Sequence, residues 1–257
     1  MAVIKARDIP IGAQLLILPI NIARVTAGYK NAAYLKGQGY AHYGIDYNDP
    51  QSGKKVPVWA SGAGTVLAAG LDNVLGNTVV VIYPKVYNPS TGKVQDLILR
   101  YCHLDSISCS KGQQVTKDTQ LGVMGATGRN VTGVHLHLEV DTDTEHSLYS
   151  PTIGSNSNII KAGTRGAGDT TLDPSTVLVL KDTAPDNQSV IGDARWPTWW
   201  SPSDVTLLKW SEIYAPEPPT DDTAAKLQEA LEQRDAAVVR AERAERKLGE
   251  IRLILDK

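Results

Sequence analysis

No phenylalanine occurs among the 257 residues, so the large side chains of any core must be tyrosine, tryptophan or aliphatic. Cysteine is nearly absent. Cys102 and Cys109 are too few for a disulfide framework. Two unpaired thiols are expected, with Cys102 inert in a packed strand, although a bridge between them stays open. No stretch approaches the roughly eighteen apolar residues of a membrane helix, which excludes a helical span. The patch Leu15–Ile20 is short and interrupted by Pro19, and the start, Met1 to Asp8, lacks the basic-then-apolar plan of a signal peptide. Charge of one sign is not in excess either: a formal balance of −2 gives no case for a nucleic-acid partner. No internal repeat supports an array of binding modules. What remains, with 42% hydrophobic residues, is enough for one sizeable core with extensions.

Histidine is equally scarce but concentrated. Four of the five histidines fall in three short patterns, His42-Tyr43-Gly44-Ile45-Asp46, Tyr101-Cys102-His103 and His135-Leu136-His137-Leu138-Glu139. Side chains of an extended chain alternate between faces, so i, i+2 and i+4 point the same way. On that reading His42 shares a face with Asp46, and His135 with His137 and Glu139. Leu136, Leu138 and Val140 face the other way, and Val131–Val140 reads as a half-buried strand. A catalytic zinc site takes three His or carboxylate ligands and leaves a fourth position open. A lone HxH is weak evidence, because surface strands carry paired histidines without metal. The combination with HxxxD and His103 is what points to a hydrolytic metal site. His146, in the polar stretch Asp143–Ser147, reads as a solvated surface residue.

Three regions differ in composition. Residues 1–183 are strand-rich, with Val79–Tyr87 and Val94–His103 flanking the turn sequence Asn88-Pro89-Ser90-Thr91-Gly92. Inside this region residues 141–171 form a long polar insertion rich in Gly, Ser, Thr and Asn. Leaving directly from the HxH strand, it is expected to wall the cleft and bias substrate choice. Residues 184–220 form a Trp/Pro-rich connector holding Trp196, Trp199, Trp200 and Trp210. It reads either as a binding element whose rings stack on sugars or peptides or as a hydrophobic strap docked on the first region, the strap being favoured because tryptophan is largely buried on average. Residues 221–257 are charged, alanine-rich and free of proline. Leu227, Ala230, Arg234, Ala237, Ala241, Ala244, Leu248, Ile251 and Leu255 follow alternating steps of three and four, broken only by Arg234, which predicts a coiled-coil helix. At about 1.5 Å per residue it would span roughly 50 Å. So narrow an apolar stripe implies self-association, with oligomer number open.

Around the histidines the chain resembles the lysostaphin-like (LytM-type) zinc endopeptidases of bacterial cell walls. The resemblance is carried by Arg24–Tyr29, by Val56–Ala60 and Gly64–Gly70 as the next strand pair, and by Gly76–Val81. It continues through Tyr101–Leu104, Gly112–Val115, Gly122–Gly125 and Thr127–Arg129, running into the HxH motif and covering roughly residues 20–140. Val134 stands where the family often has proline or a small polar residue, and Cys102 where a small residue is common. Neither removes a ligand.

The resemblance implies a mainly β fold, an antiparallel β-sheet metallopeptidase domain of duplicated hybrid type. It implies a Zn2+ site with His42, Asp46 and His137 as ligands, and His103 and His135 as the catalytic pair. Zinc lowers the pKa of water from 15.7 to about 7 and polarises the scissile carbonyl. Histidines, with an unperturbed pKa near 6.5, suit the acid and base steps. Glu139 reads either as a carboxylate that orients a histidine or as an ordinary strand residue, and Tyr34 or Tyr40 could steady the oxyanion. The implied function is hydrolysis of peptide cross-links or stem peptides in peptidoglycan. The rivals are a wall-binding or hydrolase-activating domain of the same fold without catalysis, and a structural virion protein with an accessory enzyme domain. A wall hydrolase without a leader suggests phage-type release, virion association, or a mature form whose leader has been removed.

Overall fold

The computed structural model describes residues 4–181, except 22, 52, 130, 152–156 and 164–167, together with residues 210–214. In chain order the main elements are β1 (Leu16–Ile17), β2 (Arg24–Ala27), helix α1 (Ala32–Gln38), β3 (Ile45–Asn48), β4 (Pro57–Trp59), β5 (Gly64–Asp72), β6 (Gly76–Tyr87) and β7 (Val94–Leu104). There follow β8 (Ser106–Ile107), β9 (Gln114–Val115), β10 (Gln120–Val123), β11 (Leu136–Asp141), β12 (Tyr149–Ser150), β13 (Lys161–Ala162), β14 (Thr171–Leu172) and β15 (Leu178–Val179). The main sheet runs β2-β3-β11-β7-β6-β5-β9, antiparallel throughout, with β14 added on β11. A smaller antiparallel sheet is ordered β4-β10-β8, and β1 pairs with β15 in parallel. The architecture is mainly β and antiparallel, as expected.

The centre of the sheet is buried on both faces. On β6, Val79, Val81 and Tyr83 join the principal core while Val80 packs in a second cluster on the other side; on β7, Leu97, Leu99 and Tyr101 alternate likewise with Ile98 and Cys102. Fully burying each aliphatic side chain of this kind is worth about 1.5–3 kcal/mol. Tyrosine does the work that phenylalanine would do elsewhere. Its hydroxyl must then find a partner: the Tyr83 and Tyr101 hydroxyls lie 2.7 Å apart, and Tyr101 donates to Ser61 Oγ at 2.9 Å.

The hairpin at Asn88–Lys93 forms where the turn residues placed it. Asn88 Oδ1 accepts from Ser90 N at 2.9 Å, and Gly92 takes φ +72. Val56–Ala60 and Gly64–Gly70 do not pair with each other, contrary to expectation: β4 joins β10, and β5 joins β6 and β9. The intervening bend is captured from outside, with Ile17 N donating to Ser61 O at 2.8 Å and the Gln14 side chain bonding both Ala63 N and Ala63 O at 2.8 Å. The chain therefore crosses between sheets instead of folding back.

Both cysteines are free thiols, Cys102 packed in β7. Of the Trp/Pro-rich connector, residues 210–214 are described. They carry a short helix, α2 (Trp210–Ile213), whose Ile213 is fully buried among Ile4, Ile9, Leu15, Ile17 and Val179. The tryptophan side chains on which the strap reading rests lie outside the described residues. Residues 184–209, most of the connector, and the predicted helix at 221–257 lie outside the described residues. No helix among the described residues is long and apolar enough to cross a membrane.

Candidate metal centre

Asp46 and His137 are direct cross-strand partners, one on β3 and the other on β11. His42 reaches them differently from what its spacing suggested. It lies in the loop between α1 and β3, not on an extended strand, so the i, i+4 face argument does not place it. Asn31 caps α1 by accepting from Tyr34 N, Gly39 ends it in the left-handed region, and the chain then swings His42 inward. Its ring is held by a 3.0 Å hydrogen bond from Nδ1 to Gly28 O and by stacking of Tyr34 at 4.6 Å. Gly44 permits the approach. A Cβ there would lie 2.5 Å from Leu138 O and 2.9 Å from His137 Cε1.

The three side chains converge. His42 Nε2 lies 3.1 Å from Asp46 Oδ1 and 3.0 Å from His137 Nδ1, and His137 Nδ1 lies 2.8 Å from Asp46 Oδ1. Gly28 O can only accept, so His42 carries its proton on Nδ1. Glu139 Oε1, 3.2 Å from His137 Nε2, claims the proton there. His42 Nε2 and His137 Nδ1 thus face one carboxylate oxygen, and a cation at the centre would meet two ring lone pairs once the proton that His137 holds toward Asp46 is released. Ligands about 2.0–2.1 Å from a tetrahedral zinc stand roughly 3.3 Å apart, close to these separations. The donor set fits zinc, and the three residues form the metal-capable cluster found among the described residues.

Charge states follow from the packing. Burial would raise the Asp46 carboxyl, but His42 and His135, with hydrogen bonds from His137 and His42, hold it well below the usual carboxylate range. Burial would lower His137; hydrogen bonds to Asp46 and Glu139 outweigh it and raise the imidazolium to about 10. His103 goes the other way, pushed down to about 3 by burial and by the neighbouring His135 and His137.

His103 and His135 sit beside this cluster with ring centroids 4.9 Å apart. His103 takes φ +64, a left-handed conformation uncommon outside glycine and found at functional sites. Its N–H donates to Leu75 O and its Nδ1–H to Thr127 O, both at 2.9 Å. His135 donates Nδ1–H to Gly133 O at 2.8 Å. Each ring is thus pinned through Nδ1 and leaves Nε2 available. All five sequence-selected residues line one cleft of about 340 Å³, shared with Tyr34, Tyr40 and Arg129. Burial, then its hydrogen bond with Tyr40, pushes the Tyr34 phenol up, keeping it a neutral donor. His146 lies apart, bonded to Asp143 Oδ2 at 3.1 Å.

Two expectations about this region change. β11 is buried on both faces, not half-buried, because its polar face is covered too. Among the described residues of 141–171, none lines the cleft. Leu148, Ile159 and Ile160 pack instead on the second core cluster with Cys102 and Ile98. Beneath this cover sits a residue the sequence reading passed over. Arg100, fully buried, donates Nη1 to Glu139 Oε2 at 3.0 Å and Nη2 to Asp141 Oδ2 at 2.9 Å. Its signal was an arginine inside the apolar run Leu97–Leu104. Glu139 is accordingly no ordinary strand residue.

Comparison with known proteins finds similarity over the stretch that holds these residues. Residues 40–148 match Peptidase family M23. Peptidoglycan DD-endopeptidase ShyB of Vibrio cholerae is 34% identical over 119 residues, 46% of this chain and 25% of that protein. Peptidoglycan DD-endopeptidase ShyC of the same organism is 32% identical over 123 residues, 47% of this chain and 25% of that protein. The chain thus spans about a quarter of the length of these relatives. Among solved structures, a zinc containing peptidase from Vibrio cholerae aligns with a TM-score of 0.37 at 30% identity, covering 50% of this chain and 36% of that one. The catalytic domain of lysostaphin from Staphylococcus simulans aligns with a TM-score of 0.37 at 24% identity, covering 53% and 88%. Over residues 40–148 the chain is similar to Peptidase family M23.

Proposed function

We propose that the protein is a zinc-dependent endopeptidase that hydrolyses peptide bonds of bacterial peptidoglycan, with D,D cross-links the first substrate to test. The observation carrying this reading is the convergence of His42 Nε2, Asp46 Oδ1 and His137 Nδ1 beside a second, separately anchored pair of histidines in one cleft. The match to peptidoglycan DD-endopeptidases supports the substrate class.

His42, Asp46 and His137 would hold the ion. When bound, zinc supplies an acidified water and a Lewis acid for the carbonyl. His103 suits the general base, since its Nδ1–H bond to Thr127 O leaves Nε2 free to accept a proton. His135, less buried and pinned through Nδ1, suits the acid that returns a proton to the leaving amine. Tyr34, stacked on His42, and Tyr40, which also lines the cleft, can donate to a developing oxyanion. The deciding experiment digests purified walls from several bacterial types and weighs the released fragments, with and without a chelator. New amino termini within cross-links, abolished by chelation and restored by zinc, are expected. Wall binding without any released peptide would overturn the reading in favour of a non-catalytic binding domain.

A further inference from the structure

Arg100, Glu139 and Asp141 form a charged group sealed inside the sheet, at most 3% exposed. Arg100 and Glu139 stand directly opposite each other on β7 and β11. Four of the five Arg100 guanidinium N–H groups are committed: beyond the two carboxylates, Nε and Nη2 donate to Ser147 O at 3.3 and 3.1 Å. Glu139 spends its second oxygen on His137 Nε2 and on Ser150 Oγ, 2.9 Å away. Asp141 is completed by Asp143 N at 2.9 Å and Thr170 Oγ at 2.6 Å.

Stability alone does not account for such a group. Desolvating three charges is costly, and well-packed apolar residues in their place are often neutral or better. Val80, Ile98 and Cys102 around it would accept an aliphatic neighbour. What the charges accomplish that a leucine would not is directional. A carboxylate that accepts from His137 Nε2–H fixes that ring's tautomer and rotation, so that Nδ1 faces Asp46 and His42. Outer partners of this kind raise a ligand's basicity and set its orientation.

We propose that Arg100 is a positioning residue for the metal centre, acting through Glu139 on His137. We further propose that residues 147–150 complete this support, which ties the segment after the HxH strand to metal affinity. The inference rests on the metal-site reading above. Arg100 holds Glu139 in place through its forked donors; Ser147 O and Ser150 Oγ close the shell from the far side and keep water from competing for Glu139. The segment, none of whose described residues lines the cleft, therefore has a role behind it.

The test measures zinc affinity of the full chain by chelator competition, alongside thermal unfolding. In Glu139→Gln the amide N–H2 would face either the Arg100 donors or His137 Nε2–H, and the negative charge beside His137 is lost. Arg100→Lys keeps the charge but cannot reach both carboxylates at once. Ser150→Ala removes one bond to Glu139. Zinc affinity is expected to fall about 10–100-fold in Glu139→Gln and Arg100→Lys, and less in Ser150→Ala. Tyr83→Phe, which disturbs a buried hydroxyl network on the opposite face, should lower stability and leave affinity unchanged. Glu139→Gln and Ser150→Ala that fold and bind zinc within twofold of the parent would overturn the proposal, whether or not Arg100→Lys folds. A parent chain that binds no zinc would instead refute the metal-site reading itself.

Discussion

His137 Nδ1 approaches Asp46 Oδ1 to 2.8 Å although 91 residues separate them, because β11 and β3 pair with these two residues directly opposite. The candidate metal centre is therefore a product of register. A slip of one residue would turn His137 into the principal core and bring Leu136 or Leu138 to face Asp46. Leu136, Leu138 and Val140, packed in that core, oppose the slip.

The first prediction concerns the ion. About one zinc per chain is expected, as three-ligand catalytic sites hold. Alanine at His42, Asp46 or His137 should remove both metal and activity. Elemental analysis showing undiminished tight zinc in His137→Ala would refute the ligand set.

The second separates ligands from the pair beside them. His103→Ala and His135→Ala should retain zinc and lose about 10²–10⁴ in rate, the usual contribution of a general acid or base. His135 Nε2 lies 3.8 Å from Asp46 Oδ1, outside the tight triangle formed with His42 and His137. Release of zinc from His135→Ala would exchange the roles of the two HxH histidines. Parental hydrolysis by either variant, with zinc retained, would remove it from the mechanism.

The site was more legible than its surroundings, for a physical reason. Ligand chemistry is written in residue type, and the i, i+2 spacing of His135 and His137 survives folding because a strand preserves alternation. The spacing of His42 and Asp46 did not transfer, since a helix end, a left-handed glycine and a stacked tyrosine place His42 from a loop. The strands β6 and β7 and their turn could be read from β-branched runs bounded by Asn, Pro and Gly. The fate of β4 and β5 could not, because Gln14 and Ile17, far away in sequence, decide where the bend between them goes. Arg100 escaped notice for a similar reason: a charge in an apolar run reveals its partners only when β7 and β11 are paired.

The third prediction tests the segment behind the metal centre through pH. Burial would raise the Asp72 carboxyl, but hydrogen bonds from Ser157 Oγ and from the backbone N–H groups of Leu75, Val74 and Ile160 lower it below its ordinary value. A carboxyl depressed on folding contributes stability that is present above its unfolded pKa and lost as pH falls through the folded one. Asp72→Asn should therefore cost about 1.5–3 kcal/mol near neutrality, the range for hydrogen bonds to a charged group. The gap between variant and parent in urea unfolding should narrow as pH drops below about 4, the ordinary Asp value. An unchanged gap at pH 3 would show that the carboxylate charge is not what holds residues 157–160.

The fourth prediction concerns residues 221–257, which we propose form a coiled-coil helix that joins copies of the chain. If the seam from Leu227 to Leu255 is an interface, the full chain should sediment as an oligomer and a form ending at Thr220 as a monomer. Leu248→Glu should act like the truncation, because it buries an unpaired charge between helices. The truncated form should still cleave small soluble cross-linked peptides, since every side chain placed at the metal centre lies before residue 140. On intact wall its action should fall, because tethered sites raise one another's effective concentration on a polymeric substrate. A full chain that stays monomeric at tens of micromolar would refute self-association and leave the helix as a docking arm for a different protein. Equal wall digestion by an oligomeric parent and its monomeric truncation would show instead that the helix assembles the protein without aiding its attack on the substrate.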